Sequence, residues 1–150
     1  MIVIDSREKK FEHITAYFDK HGIPYEVRKL DTGDYLNTDN PSVVVDRKAN
    51  LQEVCSNLSF GKSNRTRFAH ECERAFADNI KLVVLIEGTN YKELSEIKAW
   101  KSKHSSHTGR WLLDNMFRLT MAFGITWNLC RKNETAKRIL EILEYREEPK

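Results

Sequence analysis

Residues 32–48, with the sequence TGDYLNTDNPSVVVDRK, contain side chains that could act together on a phosphate. Asp34 stands near the start of this stretch, and Asp46, Arg47 and Lys48 directly follow three valines. Charged side chains are costly to bury without partners, so we expect them where a strand leaves the core and faces a site. Carboxylates hold divalent cations, and a lysine can steady phosphate charge beside them. The stretch therefore predicts a metal site next to a bound phosphate.

The same stretch predicts the hairpin that must position these side chains. Residues 37–41, NTDNP, are typical of a turn, so Asp34 enters the first strand and residues 46–48 end the second. Alternating or continuous apolar residues indicate strands elsewhere in the chain, and the continuous run that ends at Glu87 is typical of a strand covered on both faces. The further strands are predicted at residues 1–4, 24–30, 81–87 and 125–129.

Apolar residues recur at helical spacing between these strands. Phe11, Ile14 and Phe18 form one such face, and Gly22 is a natural C-terminal stop. In a later helix, Phe76 is expected on the core side. Strands that alternate with helices predict an α/β domain with helices on both sides of a central sheet. The later helices are predicted at residues 51–58, 65–78, 91–100 and 111–123, with a last one capped by Asn133.

Length, charge and cysteine content set the class of protein. The 150 residues are enough for one domain with a real core, and the net charge of +3 allows a nucleic-acid partner without requiring one. Three cysteines at wide spacing predict neither a disulfide framework nor a zinc site. Residues 1–10 lack the pattern of a signal peptide, and no apolar run could span a bilayer. We therefore expect a cytoplasmic protein without a membrane partner.

Several short motifs occur in an order that resembles a known family. They are IDSRE at residues 4–8, TGDY at 32–35, VVVDRK at 43–48, LQE at 51–53 and VVLIEG at 83–88. Together they resemble the XPF-type nuclease domain of the PD-(D/E)XK class, and are most similar to its small single-domain phage and prophage members. The resemblance implies a restriction-endonuclease-like fold, with a central mixed sheet flanked by helices on both faces, in a single domain over residues 1–150.

The resemblance also implies an activity and a setting. The protein is expected to be a metal-dependent DNA endonuclease that cuts branched or flapped DNA, with Mg²⁺ or Mn²⁺ as its cofactor. Its setting would be DNA repair or recombination in the cytosol of a bacterium or a phage-infected host. Two other readings stay open. One is a non-catalytic DNA-binding or partner subunit that keeps the fold, and the other is a nuclease similar to Holliday-junction resolvases.

The catalytic residues implied by the resemblance cluster in the predicted hairpin. Asp34 matches the central metal ligand, and Asp46 stands where most members have Glu, one methylene longer. Lys48 matches the catalytic lysine, which could position or activate water or neutralise phosphate charge. Arg47 matches the motif arginine, which could hold a phosphate oxygen or brace a carboxylate. Asp5 matches the acid at the end of the first strand and could also be a simple helix cap.

A further acid is displaced from the family pattern. Gln52 occupies the position where the family has Asp, and Glu53 follows it. Glu53 is taken as the counterpart and as a third metal ligand beside Asp34 and Asp46. A solvated position on the helix surface is the alternative for Glu53.

Basic residues outside the hairpin are expected to touch the DNA backbone. Residues 101–110, KSKHSSHTGR, have the composition of a flexible basic loop. His104 and His107 form an HxxH pattern, but no further Cys or His lies at ligand spacing, so contact with the DNA backbone is favoured over zinc binding. The stripe at residues 111–123 fits a core helix or part of a homodimer face. The predicted DNA-contacting residues are Arg7, Lys62, Arg65, Arg67, Lys101, Lys103, His104 and Arg110.

Overall fold

A computed structural model describes residues 1–59 and 66–147 of the chain. Its centre is a six-stranded mixed sheet with the order β2-β1-β3-β4-β5-β6. β3 lies antiparallel to both of its neighbours, whereas the remaining neighbours run parallel. The strands are β1 (Ile2–Asp5), β2 (Tyr25–Arg28), β3 (Tyr35–Asn37), β4 (Val43–Lys48), β5 (Lys81–Ile86) and β6 (Thr126–Leu129).

Helices cover both faces of the sheet, as the sequence predicts. α2, α3 and α4 pack on one face, and α1 and α5 pack on the other. Each face has its own cluster of buried apolar side chains, so the sheet is the middle layer of three. The helices are α1 (Glu12–Lys20), α2 (Leu51–Leu58), α3 (Arg67–Ala77), α4 (Gly109–Phe123) and α5 (Thr135–Ile142), with short 3₁₀ turns at Leu94–Ala99 and Lys132–Glu134.

The alternation of side chains along β4 separates its charged residues. Val44 packs in the cluster beneath α2, α3 and α4, whereas Val45 packs in the cluster with α1 and α5. Successive side chains of a strand point to opposite faces. Asp46 and Lys48 therefore share the α2–α3 face with Val44, and Arg47 faces α1 and α5.

Three predicted helices differ from the observed ones at their bounds, and the one predicted to end at residue 78 ends at Ala77. The helix predicted at 91–100 is only a 3₁₀ turn at Leu94–Ala99, and the start of α4 lies close against it. A Cβ on Gly109 would lie 1.9 Å from the carbonyl oxygen of Ile97, so only glycine allows this approach. α4 begins two residues earlier than predicted because Thr108 caps it, accepting the N–H of Trp111 at 3.2 Å.

Two side-chain expectations of the sequence were wrong. Asn133 does not cap the last helix, because it lies inside the 3₁₀ turn that precedes α5. Phe76 is 57% exposed, and it packs edge-on against Phe123 instead of entering the core. On α4, Phe117 and Met121 are exposed, so the predicted homodimer face stays a prediction. No helix in the described part of the chain is long and apolar enough to cross a membrane.

Candidate active site

The β3–β4 hairpin places Asp34 opposite Asp46. Tyr35 pairs with Val45 in antiparallel register, so the positions one step outward, 34 and 46, are neighbours on the same face. The N–H of Arg47 donates to Asp34 Oδ2 at 2.8 Å and holds this carboxylate against β4. Gly33 makes the turn before Asp34, with φ of +73° and with Val44 Cγ1 2.1 Å from where a Cβ would lie. The local sequence thus builds the carboxylate pair.

The metal-free protein disfavours the ionised forms of both Asp34 and Asp46. Burial, followed by the charge of Asp46, raises the pKa of Asp34 well above its ordinary value. Burial also raises the pKa of Asp46 to about 6, although the charge of Lys48 offsets part of the rise. Asp46 Oδ2 is buried and receives no hydrogen bond from the described residues. A shared proton or a bound cation would each relieve this pair.

Lys48 provides the positive charge of the site. Its Nζ lies 3.4 Å from Asp46 Oδ1 and 4.4 Å from the ring centroid of Phe68 on α3. Burial by itself would lower the pKa of Lys48, but the charges of Asp46, Glu53 and other acids outweigh it and raise the pKa. These acidic neighbours favour the ammonium form of Lys48, which can neutralise anionic charge.

Arg47 is fully engaged on the opposite face of the sheet. Its Nε donates to Glu8 Oε2 at 2.9 Å, its Nη1 to Glu87 Oε1, and its Nη2 to the carbonyl of Lys9 at 2.5 Å. Burial would lower the pKa of this guanidinium, but the hydrogen bond to Glu8 and the nearby acidic charges raise it. Of the two roles considered for Arg47, these contacts favour bracing carboxylates over holding phosphate.

Glu87, at the end of β5, contacts both α1 and α5 on this face of the sheet. His13 of α1 contacts its Oε2 at 2.9 Å, and Thr135 of α5 donates to the same oxygen at 2.6 Å. Burial would raise the pKa of Glu87, but the hydrogen bonds from Thr135 and His13 and the charge of Arg47 lower it below its ordinary value. Glu87 is therefore an ionised structural anchor.

Asp5 stands at the rim of the cleft and is already satisfied. Arg7 Nε donates to Asp5 Oδ2 at 3.0 Å, and the N–H of Leu30 donates to Oδ1 at 2.8 Å. Burial would raise the pKa of Asp5, but the Arg7 and Leu30 hydrogen bonds lower it. Arg7 lines the cleft beside Asp34, and its side chain is 58% exposed. A catalytic role for Asp5 stays a prediction, whereas its contacts are those of a residue that orients Arg7.

The two candidates for the displaced acid have other partners. Glu53 Oε2 accepts the N–H of Ala49 at 2.8 Å, while Asn50 caps α2 through the N–H of Glu53. Gln52 faces away from the carboxylate pair, because its Oε1 accepts from Ser102 Oγ at 3.0 Å and from the N–H of Lys103 at 3.4 Å. The structure places Glu53 at the cleft margin but brings neither side chain into contact with Asp34 or Asp46.

Glu71 is a site residue that the sequence reasoning missed. It reaches from α3 to the hairpin, where its Oε1 accepts the N–H of Gly33 at 2.9 Å. Its charge acts on Asp46 and on Lys48. One signal was available, because position 71 lies beside Phe68 and Cys72, at the edge of the apolar face of α3.

The predicted DNA-contacting residues fall into two groups around the cleft. Arg67 lines it next to Arg7, in a cavity of about 380 Å³. Residues 101–108 lie beside α2, where buried Ser102 accepts from the N–H groups of His104 and Ser105. The exposed basic side chains there are Lys101, Lys103 and His104, and Arg110 is exposed on α4. The ring of His107 stacks on that of Trp111, with 3.6 Å between the ring centroids. Lys62 and Arg65 lie outside the described residues.

The donor set fits a divalent cation at the Asp34–Asp46 pair. Two carboxylates suffice for Mg²⁺, which keeps several waters, and the unpaired buried Oδ2 of Asp46 is an oxygen without a donor. In the described ranges no three acidic, histidine or cysteine side chains already form a metal-binding group. Lys48 Nζ, close to Asp46 Oδ1, offsets part of the negative charge there.

The fold and this cleft define a restriction-endonuclease-like α/β domain with a carboxylate–lysine site. The chain belongs to the ERCC4 domain family, whose model matches residues 4–142. This match confirms the resemblance drawn from the motifs of the sequence. The likeness to phage and prophage members and the single-domain boundary stay predictions.

Two solved structures are similar to this fold. XPF from Aeropyrum pernix matches with a TM-score of 0.71 and 20% identity, over 95% of this chain and 63% of that one. XPF from Aeropyrum pernix in complex with DNA matches with a TM-score of 0.70 and 21% identity, over 95% of this chain and 62% of that one. The chain thus spans about three fifths of the length of these relatives. No curated protein matches it. The likeness confirms the predicted mixed-sheet fold.

Proposed function

We propose that this protein is a metal-dependent DNA endonuclease that hydrolyses phosphodiester bonds. The observation that carries the proposal is the convergence of Asp34, Asp46 and Lys48 on one face of β3 and β4, with Asp46 Oδ2 buried and unpaired. Two buried acids side by side are costly to keep ionised unless they share a proton or bind a cation. A divalent cation on the acids and a phosphate beside the lysine would satisfy all three groups.

Asp34 and Asp46 would hold Mg²⁺ or Mn²⁺ through their carboxylate oxygens. When bound, such an ion supplies Lewis-acid stabilisation of phosphate charge and lowers the pKa of a bound water. The protein's own part is to fix the two carboxylates, which it does through the Arg47 N–H and the hairpin register. The cavity that both carboxylates line has a volume of about 520 Å³, enough to admit a phosphate with its neighbouring sugar.

Lys48 would bind the scissile phosphate as a cation. Its ammonium group lies over Phe68 and next to Asp46, and these contacts limit the positions that the side chain can adopt. A fixed positive charge in a partly dry cleft stabilises developing negative charge without reorganising solvent. Arg47 would act as a positioning residue, since its three donors hold the opposite face of the strand end.

DNA is the proposed polymer, and a branched or flapped form is the proposed substrate. The similar XPF structure in complex with DNA supports the first part. Exposed Arg7 lines the cleft, and exposed Lys101 and Lys103 line an adjoining cavity beside α2, where they can meet backbone phosphates. Backbone contacts carry no sequence information, so the shape of the DNA would select the substrate.

Cleavage of defined DNA substrates tests this proposal. Flap, fork, four-way junction and linear duplex DNA are incubated with the protein in Mg²⁺, Mn²⁺ or EDTA, and the products are mapped. We expect metal-dependent cuts near the branch point of flaps and forks. Lys48→Met removes the charge and shortens the side chain by one heavy atom, and it should lower the rate by about 100-fold or more.

The same panel contains the outcomes that would overturn the proposal. Binding of branched DNA without cleavage in either metal would identify a non-catalytic DNA-binding subunit. Paired symmetric cuts confined to four-way junctions would identify a resolvase-like nuclease instead. Cleavage that is as fast in EDTA as in Mg²⁺ or Mn²⁺ would show that the reaction needs no divalent metal ion.

A further inference from the structure

Glu71 enters the cleft from a different element than the hairpin acids. It lies on α3, and its Oε1 bonds to the Gly33 N–H, directly beside Asp34. Together with Asp34 and Lys48, Glu71 lines both cavities that meet at the carboxylate pair. Its Oε2 receives no hydrogen bond from residues 1–59 and 66–147. One oxygen thus fixes the side chain, and the other is available to a ligand.

A second observation is an unpaired carboxylate oxygen in this cleft. Asp46 is only 4% exposed, and its Oδ2 has no hydrogen-bond partner in the described structure. Buried carboxylate oxygens are almost always paired, because desolvation without a partner is costly. Asp46 and Glu71 line the same cavity, so both residues border the space that a ligand would occupy.

We infer that Glu71 is a third carboxylate ligand of the metal ion held by Asp34 and Asp46. The inference rests on the proposed function, since it presumes that these two residues bind the ion. Asp34, Asp46 and Glu71 line one cavity together with Lys48, and a divalent cation would offset the negative charge that their carboxylates carry when ionised. Carboxylate oxygens with several waters are the ligands that Mg²⁺ and Mn²⁺ prefer.

The alternative role for Glu71 is purely structural. Its bond to Gly33 could simply hold the turn that precedes Asp34, without any contact with the ion. The two roles differ in what they require of the side chain. An amide oxygen can accept the Gly33 N–H as well as a carboxylate can, but it carries no charge and is a poor ligand for Mn²⁺. Glu71→Gln therefore separates the roles.

The test is direct measurement of Mn²⁺ binding to the intact protein without DNA. Titration calorimetry gives the Kd, and thermal unfolding in EDTA and in Mn²⁺ gives the metal-dependent rise in Tm. Glu71→Gln should weaken Mn²⁺ binding by about tenfold or more and shrink the rise in Tm. Glu73→Gln removes the same charge from the same helix two residues away, and should bind Mn²⁺ as the parent does.

Two further variants make each outcome decisive. Glu71→Asp keeps the charge but shortens the side chain by one methylene. If Glu71 is a ligand, this variant should bind Mn²⁺ more weakly. If Glu71 acts only through its long-range charge, the variant should bind Mn²⁺ as the parent does. Parental affinity in Glu71→Gln, or in Glu71→Asp, would overturn the inference about Glu71. Asp34→Asn should abolish binding. If Asp34→Asn binds Mn²⁺ normally, the proposed metal site itself is wrong, whatever Glu71 does.

Loss of folding in a variant can be distinguished from loss of Mn²⁺ binding. Melting curves in EDTA report folding separately from metal binding, and Glu71→Gln should melt at or above the parental temperature because it relieves repulsion in the cleft. A cooperative melt in EDTA combined with parental Mn²⁺ affinity would count against the ligand role.

Discussion

Lys48 Nζ and Asp46 Oδ1 lie 3.4 Å apart on the same face of β4, both almost completely buried. Arg47, the residue between them, points to the opposite face and binds Glu8 and Glu87. One strand end thus carries two separate charged systems. The pair on the α2–α3 face can respond to a ligand, while the system around Arg47 holds the helices in place. This division leads to different expectations for neighbouring residues.

Asp34→Asn should stabilise the metal-free protein at neutral pH. Burial and the nearby charge of Asp46 disfavour the ionised form of Asp34, so its pKa is raised in the folded state. A raised carboxyl pKa means that stability is lost as the pH rises above the ordinary value of 3.8. Asparagine can still accept the Arg47 N–H. We expect the Tm in EDTA to rise by about 3 °C, the shift that roughly 1 kcal/mol produces in a domain of this size.

The control for this prediction is Asp114→Asn, which removes an exposed carboxylate on α4. Its Tm should stay close to that of the parent at every pH. The gain from Asp34→Asn should vanish at a pH well below 3.8, where the carboxyl is protonated whether the chain is folded or not. A lower Tm for Asp34→Asn at pH 7 in EDTA would contradict the account of the carboxylate pair.

Arg47→Ala should damage the fold more than any other single change at the strand end. Truncation leaves the buried carboxylates of Glu8 and Glu87 without their shared partner. Breaking a buried ion pair in this way costs about 3–5 kcal/mol. Urea unfolding measures the loss. Arg28→Ala, which breaks the exposed pair with Glu26, should cost less than about 1 kcal/mol.

Glu87 should contribute stability at neutral pH that is lost in acid. Its folded pKa is lowered, so it contributes stability above its ordinary value of 4.5 that is lost as the pH falls through the folded value. Glu87→Gln should therefore be less stable than the parent at pH 7, with the difference narrowing toward acid. Urea midpoints measured between about pH 3 and pH 7 would show this convergence. Parallel pH profiles for the two proteins would contradict the anchor role.

Lys101 and Lys103 should strengthen DNA binding through backbone phosphates. Their loop is ordered by Ser102 and by its bonds to Gln52, so the two ammonium groups are presented at a defined position beside α2. Changing both lysines to Ala should raise the Kd for branched DNA and lower the slope of log Kd against log salt by about one per lost contact. Lys20→Ala on α1, on the other side of the sheet, should change neither quantity.

Most of the fold could be predicted from local sequence. Three valines before Asp46 and the turn residues before them specify a hairpin, because the side-chain period of a strand is two. That hairpin also brings together Asp34, Asp46 and Lys48. The 3₁₀ turn at Leu94–Ala99 was less predictable, because its form depends on contact with Gly109, which is distant in sequence.

The parts of the site that escaped prediction depend on contacts across the sequence. Arg47 looks the same in the sequence whether it binds phosphate or Glu8 and Glu87, which are 39 and 40 residues away. Glu71 bonds to a residue 38 positions earlier, and nothing in the period of α3 alone points to that partner. Phe76 fits the apolar face by spacing, but the packing of α3 on α4 leaves it exposed.

Single-turnover cleavage of a flapped DNA by the parent, Asp34→Asn and Asp114→Asn in Mn²⁺ tests whether the carboxylate pair holds the metal ion. The two variants remove the same charge, one from the carboxylate pair and one from the surface. If Asp34 and Asp46 hold the ion that the reaction needs, Asp34→Asn loses at least about 100-fold in rate while remaining folded, and Asp114→Asn cuts as the parent does. Equal rates for all three proteins would contradict the assignment.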